Sequence, residues 1–417
     1  MLNPFNTPRA RRYMKQNNID ALIATSSVNV MYFSGYSCWL DPLFREYMMN
    51  PGASSELSQR SFAIFPREGE PTLIVKSNMS PDATDLETKD VRVYGNAGLD
   101  YSLLSNPSGT TEARFLSLVR NTPSSTTAVQ ALTDALRERG LTEGTVGIEL
   151  EGLSRRLKEE LSKALPRTRL LDCTNLIRLI RAVKTTNEIR LLTQAAEISE
   201  NAAMESLADA HIGTQTRDLV QRFQSSVGKQ GANYDHFSLS LGGLGICSEP
   251  NYPFRAQDVM FMDYGCVFSS YFSDTGTTLA FAELPRELAR RRYALQSCVE
   301  VGAKAMRPGV KASSIHHAMI AVLAEAGITN SFPHGHGMGL EVRDYPILVP
   351  QNGLEIRDDC IAVDSDMPLE EGMVINLEAP LFMATAGALQ VEKTFVVTAD
   401  GCRELTCQDR TRPYIAT

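Results

Sequence analysis

Two aspartates, Asp263 and Asp274, stand eleven positions apart in the run DYGCVFSSYFSD. The residues before the first, Val259 to Met262, are apolar, and Thr277 to Phe281 after the second are strand formers. Read as adjoining strands of one sheet, these runs bring the two carboxylates to the same place. Carboxylates held that close repel unless a proton or cation lies between them, and a hard divalent metal is the usual answer. Three more candidate ligands follow in strand or turn context: His336 in HGHGMGL, Glu378 in INLEAP and Glu392 in LQVEKT. Glycines around His336 let the backbone approach closely. Glu378 follows an apolar run whose alternation places it on an inward face, and Glu392, fourteen residues later, falls on the partner strand of a hairpin. Four carboxylates and one imidazole suit two divalent ions and balance their charge. Oxygen-rich ligation puts Mn²⁺ first, with Fe²⁺, Co²⁺ or Zn²⁺ as alternatives.

The order Asp, Asp, His, Glu, Glu resembles that of the pita-bread metallopeptidases, among them methionine aminopeptidase, aminopeptidase P and prolidase. The resemblance implies that Asp263 chelates one metal, that Asp274 and Glu392 bridge both, and that His336 and Glu378 complete the other. It also implies a bridging water acidified to hydroxide, the nucleophile for hydrolysis. Glu378 and His334 are the catalytic candidates. His334, two residues before the ligand histidine, either supplies a proton or has a structural role beside the site.

The chain departs from these peptidases in the groups that handle the peptide. They carry a histidine just before the first aspartate strand, where this chain has Asn251. They carry a second one seven residues after the ligand histidine, where it has Arg343. The arginine that prolidases place before the last ligand is Gln390. Asparagine cannot shuttle a proton at neutral pH, and arginine stays charged throughout. Arg343 is read either as a clamp for a substrate carboxylate or as a structural ion pair with Asp344 or another acid. His236, in NYDHF, either faces the pocket as a substrate-binding group or belongs to the core or surface.

The elements that position these residues fall into two domains, 1–175 and 176–417. In the first, residues 8 to 17 read as a short basic helix, with strands at Ala21 to Ala24 and Val28 to Phe33. A hairpin follows at Ser61 to Pro66 and Pro71 to Val75, then a strand near Val91 to Tyr94 and a helix near Thr126 to Glu138. A strand at Thr145 to Leu150 and a helix at Ser154 to Ala164 complete an α/β pattern. The runs IDALIATSSVNVMYFSGY and EPTLIV resemble a creatinase-type N-terminal domain. Leu40 to Arg60 is a long loop, either solvated or a lid. In the resembling enzymes this domain often reaches a neighbouring subunit's active site, which implies a homodimer and a substrate-binding role for Trp39 and Arg45. In the second domain a long amphipathic helix runs from Asn187 to Ala210, with further helices at Thr216 to Gln230, Arg286 to Met306 and Ser313 to Ala326. The resemblance makes this an α+β pita-bread domain.

At 417 residues the chain is long enough for two cores, and its 43% apolar and 22% charged content is that of a globular protein. The net charge of -8 argues against nucleic-acid binding, and no apolar run reaches membrane-spanning length. Eight cysteines without a CxxC pair read as reduced thiols in a cytoplasmic protein. The first expectation is an Xaa-Pro dipeptidase or aminopeptidase acting on a short peptide. The second is a C–N hydrolase, or a lyase, for a small metabolite bearing a carboxylate. Creatinase illustrates non-peptidase chemistry on this scaffold but lacks these metal ligands. A binding protein that kept the fold is disfavoured, because it has little use for four converging carboxylates.

Overall fold

The structure, a computed structural model, describes residues 5–38, 60–96, 98, 109–120, 125–151, 153–248, 251–406 and 413–416. Trp39, Arg45 and most of the loop expected as a lid lie outside the described residues. The chain divides into two compact units, Met1–Ile180 with Ile356–Ala362, and Arg181–Glu355 with Val363–Thr417.

In the first unit, helices α1 (Thr7–Gln16) and α2 (Ser27–Ser34) flank strand β1 (Ala21–Ala24) in the chain. Strands β2 (Phe62–Pro66), β3 (Thr72–Lys76) and β4 (Asp90–Tyr94) follow, then helices α3 (Thr110–Arg120) and α4 (Ala128–Glu138). Strand β5 (Thr145–Ile148), helix α5 (Arg155–Ala164), strand β6 (Arg169–Asp172) and helix α6 (Thr174–Ala182) complete the unit's longer elements. Its sheet has the order β4-β3-β2-β1-β5-β6. It is mixed: β1, β2 and β3 pair antiparallel, while β3 and β4, β1 and β5, and β5 and β6 pair parallel. Ile23, Ile64, Ile74 and Val146 from the sheet pack with Leu132 and Leu136 of α4 and Leu157 and Leu161 of α5.

The run VNVMYF, expected as a strand, is helix α2 instead. Its β-branched and aromatic content misleads, because local capping and burial decide its form. The Ser26 Oγ accepts from the Asn29 N–H at 3.2 Å, a standard N-cap, and Gly35 at φ 77° ends the helix. Every residue from Asn29 to Ser34 is buried, so no polar face marks a helical period. Asn29 Nδ2 donates to the buried Glu149 Oε1 at 2.7 Å, which ties the helix to the end of β5. Helix α3 was not expected from the sequence.

In the second unit, helices α7 (Thr186–Leu207) and α8 (Thr216–Lys229) precede β7 (Asn233–Leu239), β8 (Cys247–Ser248), β9 (Val259–Phe268), β10 (Tyr271–Phe272) and β11 (Thr275–Ala280). Helices α9 (Arg286–Ala305) and α10 (Ala312–Glu325) lead to β12 (His334–Gly337) and β13 (Asp344–Leu348). The short strands β14 (Glu355–Arg357) and β15 (Ala362–Asp364), which lie at the two ends of the Ile356–Ala362 segment of the first unit, pair with each other. Strands β16 (Val374–Met383), β17 (Gly387–Val397), β18 (Cys402–Glu404) and β19 (Tyr414–Ile415) end the described chain. The main path of the large sheet runs β13-β12-β16-β17-β11-β9-β7-β8.

Strand alternation separates its two faces. On β9, Met260, Met262, Tyr264 and Cys266 pack with Ala202 and Ala203 of α7 and Leu219, Phe223 and Val227 of α8. Asp263 and Gly265 therefore point to the opposite face. The helices take one face of the sheet, as an α+β unit requires, and leave the other for polar groups. No helix among the described residues is long and apolar enough to cross a membrane.

Candidate metal centre

The polar face is assembled by register. Glu378 on β16 pairs with Glu392 on β17, Glu392 with Gly276 on β11, and Gly276 with Asp263 on β9. Three carboxylates and one glycine thus form a row across four strands. A Cβ at Gly276 would lie 2.5 Å from Glu392 Oε2 and 2.8 Å from the Met262 carbonyl, so only glycine leaves room there for the Glu392 carboxylate. Asp274 sits just before β11. Its carbonyl accepts from Asn376 Nδ2 at 2.9 Å and from Thr394 Oγ1 at 3.0 Å, which pins the residue at the end of the row.

His336 lies on β12 opposite Asn376 and is fully buried. Its Nδ1 meets the Gly337 carbonyl at 3.1 Å, which fixes the N–H on that nitrogen. Its Nε2 makes no hydrogen bond and lies 3.5 Å from Asp274 Oδ2 and 3.9 Å from Glu378 Oε1. The structure therefore brings Asp263, Asp274, His336, Glu378 and Glu392 together. It adds His236, whose Nε2 lies 3.1 Å from Asp263 Oδ1 and 3.4 Å from Asp274 Oδ1.

The electrostatics show what this group lacks. Burial, then the charges of Asp263, Asp274 and Glu378, push the Glu392 carboxyl far above its usual range. Burial and Asp274 push Asp263 up to about 7. Burial would raise Asp274 as well, but its contacts with His236 and His336 hold it below the usual carboxylate range. Such a group cannot hold four anionic carboxylates without added positive charge. An imidazole lone pair with no hydrogen bond, facing anionic oxygen donors, is the donor set of a divalent cation. The residues present fit the metal ions that the resemblance implies.

The neighbours of the ligands were only partly visible in the sequence. Asn376 Nδ2 donates to Glu392 Oε1 at 2.8 Å, and Gln390 Nε2 donates to Glu392 Oε2 at 3.0 Å. Two neutral amides thus hold both oxygens of one carboxylate. Gln390, at the prolidase arginine position, orients Glu392 without adding charge. Asn376 was missed, although its place two residues before Glu378 puts both on one face of β16. Asp235 was missed as well; its Oδ2 meets His236 Nδ1 at 2.8 Å.

His334 Nε2 lies 2.7 Å from Glu378 Oε1, and its Nδ1 lies 2.9 Å from the Phe332 carbonyl. Burial alone would lower its pKa, but the hydrogen bond and charge of Glu378 raise it above the usual value. Arg343 has a side chain 58% exposed, with Nη2 3.8 Å from Glu378 Oε1. Asp344, beside it in sequence, is buried against Arg181 at 3.1 Å and Lys184 at 3.9 Å. Asn251 is exposed and makes no hydrogen bond to the carboxylate group among the described residues.

Residues 190–399 match the model of metallopeptidase family M24, and residues 7–183 match that of the creatinase/prolidase N-terminal domain. The Xaa-Pro dipeptidase of Pyrococcus furiosus is 23% identical over 409 residues, covering 96% of this chain and 97% of that protein. Among solved structures, the prolidase from Pyrococcus furiosus aligns with a TM-score of 0.67 at 21% identity, over 96% of this chain and 100% of that one. The X-Pro aminopeptidase from Thermotoga maritima MSB8 aligns with a TM-score of 0.71 at 19% identity, over 98% of this chain and 99% of that one. At these identities the structural likeness establishes the fold alone. Activity rests on the family match, which spans half the chain and includes all five expected ligands, and by that match the chain belongs to metallopeptidase family M24 and is a metallohydrolase with a creatinase/prolidase-type N-terminal domain.

Proposed function

We propose that the chain is a dinuclear hydrolase that cleaves the C–N bond of an Xaa-Pro dipeptide or a similarly small substrate ending in a carboxylate. The observation that carries this reading is the row Glu378–Glu392–Gly276–Asp263, flanked by Asp274 and the His336 nitrogen that makes no hydrogen bond. Asp263, Asp274, His336, Glu378 and Glu392 would hold the ions. When bound, divalent ions supply Lewis acidity toward a carbonyl and a water activated at neutral pH.

The protein's own groups do the rest. Glu378, in contact with His334, is placed to accept a proton, and His334 is placed to return it to a leaving amine. Arg343 presents a forked cation at the exposed edge of Glu378, suited to a carboxylate. Curated relatives named as Xaa-Pro dipeptidases support the dipeptide reading.

A second reading, a C–N hydrolase or lyase for a small amide or metabolite, is favoured by the same arginine and by Asn251. Neither can serve as the proton-handling histidine of a peptidase. Mn²⁺ as native metal, a homodimer and a cytoplasmic setting complete the proposal. Oxygen-rich ligation, the resemblance and the six free cysteines among the described residues support them in turn. Metal analysis of the purified chain and light scattering read the first two.

The deciding assay is metal-reconstituted protein offered Xaa-Pro dipeptides, longer peptides and small amides. Turnover of Xaa-Pro dipeptides, abolished in Asp263→Ala and Glu392→Ala together with metal content, is the expected result. Turnover of amides alone moves the chain to the second reading, and wild-type metal content in both variants rejects the site.

A further inference from the structure

We propose that His236 is an additional metal ligand of this chain, an imidazole that joins Asp263 and Asp274 around one ion. The inference rests on the metal-site reading above and goes beyond it, because the five expected ligands do not include this residue. Three features of the structure support it.

The first is orientation. Asp235 Oδ2 lies 2.8 Å from His236 Nδ1, so that nitrogen donates its proton outward and Nε2 is the nitrogen aimed at Asp263 and Asp274, where a bound ion would take its lone pair in place of a proton. A carboxylate that fixes the tautomer of an imidazole from behind is the usual partner of a metal-bound histidine. The second is the backbone. The pairing of β7 with β9 shifts register between Tyr234 and His236, leaving Asp235 as the extra residue of a bulge. In a regular strand adjacent side chains point to opposite faces, so Asp235 and His236 would diverge. The bulge lets the carboxylate reach its neighbour's ring and re-aims that ring.

The third is space. His236 pairs with Gly265, and a Cβ there would lie 2.6 Å from His236 Cε1 and also collide with the Ser273 carbonyl. The opposite strand is thus cut back where the imidazole enters. His236, Asp263 and Asp274 each offer a ligand atom within 4.8 Å of the others'. An added nitrogen makes this pocket softer than one of oxygens alone, which favours Zn²⁺ and Co²⁺ over Mn²⁺ there.

The test is made on the full chain, stripped of metal by chelator and titrated calorimetrically with Zn²⁺ and with Mn²⁺. Alongside it, ¹⁵N NMR of the six histidine rings is recorded on the Zn²⁺-loaded protein. Two rings, His236 and His336, are expected to show a metal-bound Nε2. His236→Ala should remove one of these signals, weaken one binding event on the order of 100-fold, and lower the ratio of Zn²⁺ to Mn²⁺ affinity there. Asp235→Asn keeps the imidazole and its packing, and should weaken the same event by about 10-fold or more. It carries the test if the alanine variant does not fold. A wild type that binds Zn²⁺ through His336 alone, with affinity unchanged in Asp235→Asn, overturns the ligand role and leaves the five-ligand site standing. A wild type that binds neither ion overturns both readings.

Discussion

Arg343 is the residue where the chain differs most sharply in chemistry from the peptidases it resembles. Its guanidinium is largely exposed and stands 3.8 Å from Glu378 Oε1, while Asp344 is already held by Arg181 and Lys184. Asp344 is therefore not the partner of Arg343, whose ion-pair contact among the described residues is the long one to Glu378. Removing an exposed cation should cost the fold little, and removing a carboxylate clamp should cost substrate binding about 1.4 kcal/mol, or roughly tenfold. Arg343→Ala is expected to raise KM about tenfold for a carboxylate substrate, with kcat and the melting temperature nearly unchanged. Arg343→Lys should recover part of the loss, since it restores charge without the fork. Steady-state kinetics on a substrate and its C-terminal amide decide the point. If acid and amide lose equally, Arg343 does not read the carboxylate.

At the scale of elements, helix α7 opens the second unit and its start is tied to the strands that carry the aspartates. Thr185 and Glu188 form a reciprocal capping box, and Tyr271 on β10 donates to Glu188 Oε1 at 3.2 Å. Burial pushes the Glu188 carboxyl up to about 7 from 4.5, against the opposing hydrogen bonds from Thr185. The folded chain thus binds this proton more tightly than the unfolded chain. The stabilisation is complete below about pH 4.5 and is lost as pH rises through about 7. The loss from this group is up to about 3 kcal/mol. Urea unfolding of metal-free wild type and Glu188→Gln at pH 5 and pH 8 isolates it. Wild type should lose more stability than the variant across that interval by up to this amount, and equal losses would show that Glu188 stays ionised in the fold.

For the whole molecule, the second unit brings buried carboxylates together that only added positive charge can satisfy. Ions that bind the folded chain and not the unfolded one stabilise it by mass action, by about 4 kcal/mol per ion at a thousandfold excess over Kd. In a unit of this size that corresponds to a melting shift on the order of 10 °C. Scanning calorimetry with Mn²⁺, with chelator, and with Mn²⁺ restored should show the shift and its reversal. Identical melts in all three would mean that the carboxylates are neutralised by protons and not by metal.

Much of this protein is written locally in its chain. The order of the carboxylates and the histidine, the β16–β17 hairpin that sets Glu378 against Glu392, and the two-part fold class were all legible, because each depends on residue type and short-range alternation. The run VNVMYF was misread because its helix is capped by a single serine and buried on nearly every side, which erases the period that distinguishes helix from strand. His236 stayed ambiguous, and Asp235 and Asn376 were not seen as parts of the site. A period of two tells which side chains of one strand share a face, but not which strand lies beside it or where a bulge shifts the pairing. The contact between His236 and Asp263 spans 27 residues, and that between Asn376 and the Asp274 carbonyl spans 102. Such contacts exist only once the β7–β9 and β16–β17–β11 ladders have formed. The sequence determined which donors were present. The register of distant strands, which depends on packing the whole sheet against its helices, decided which of them meet.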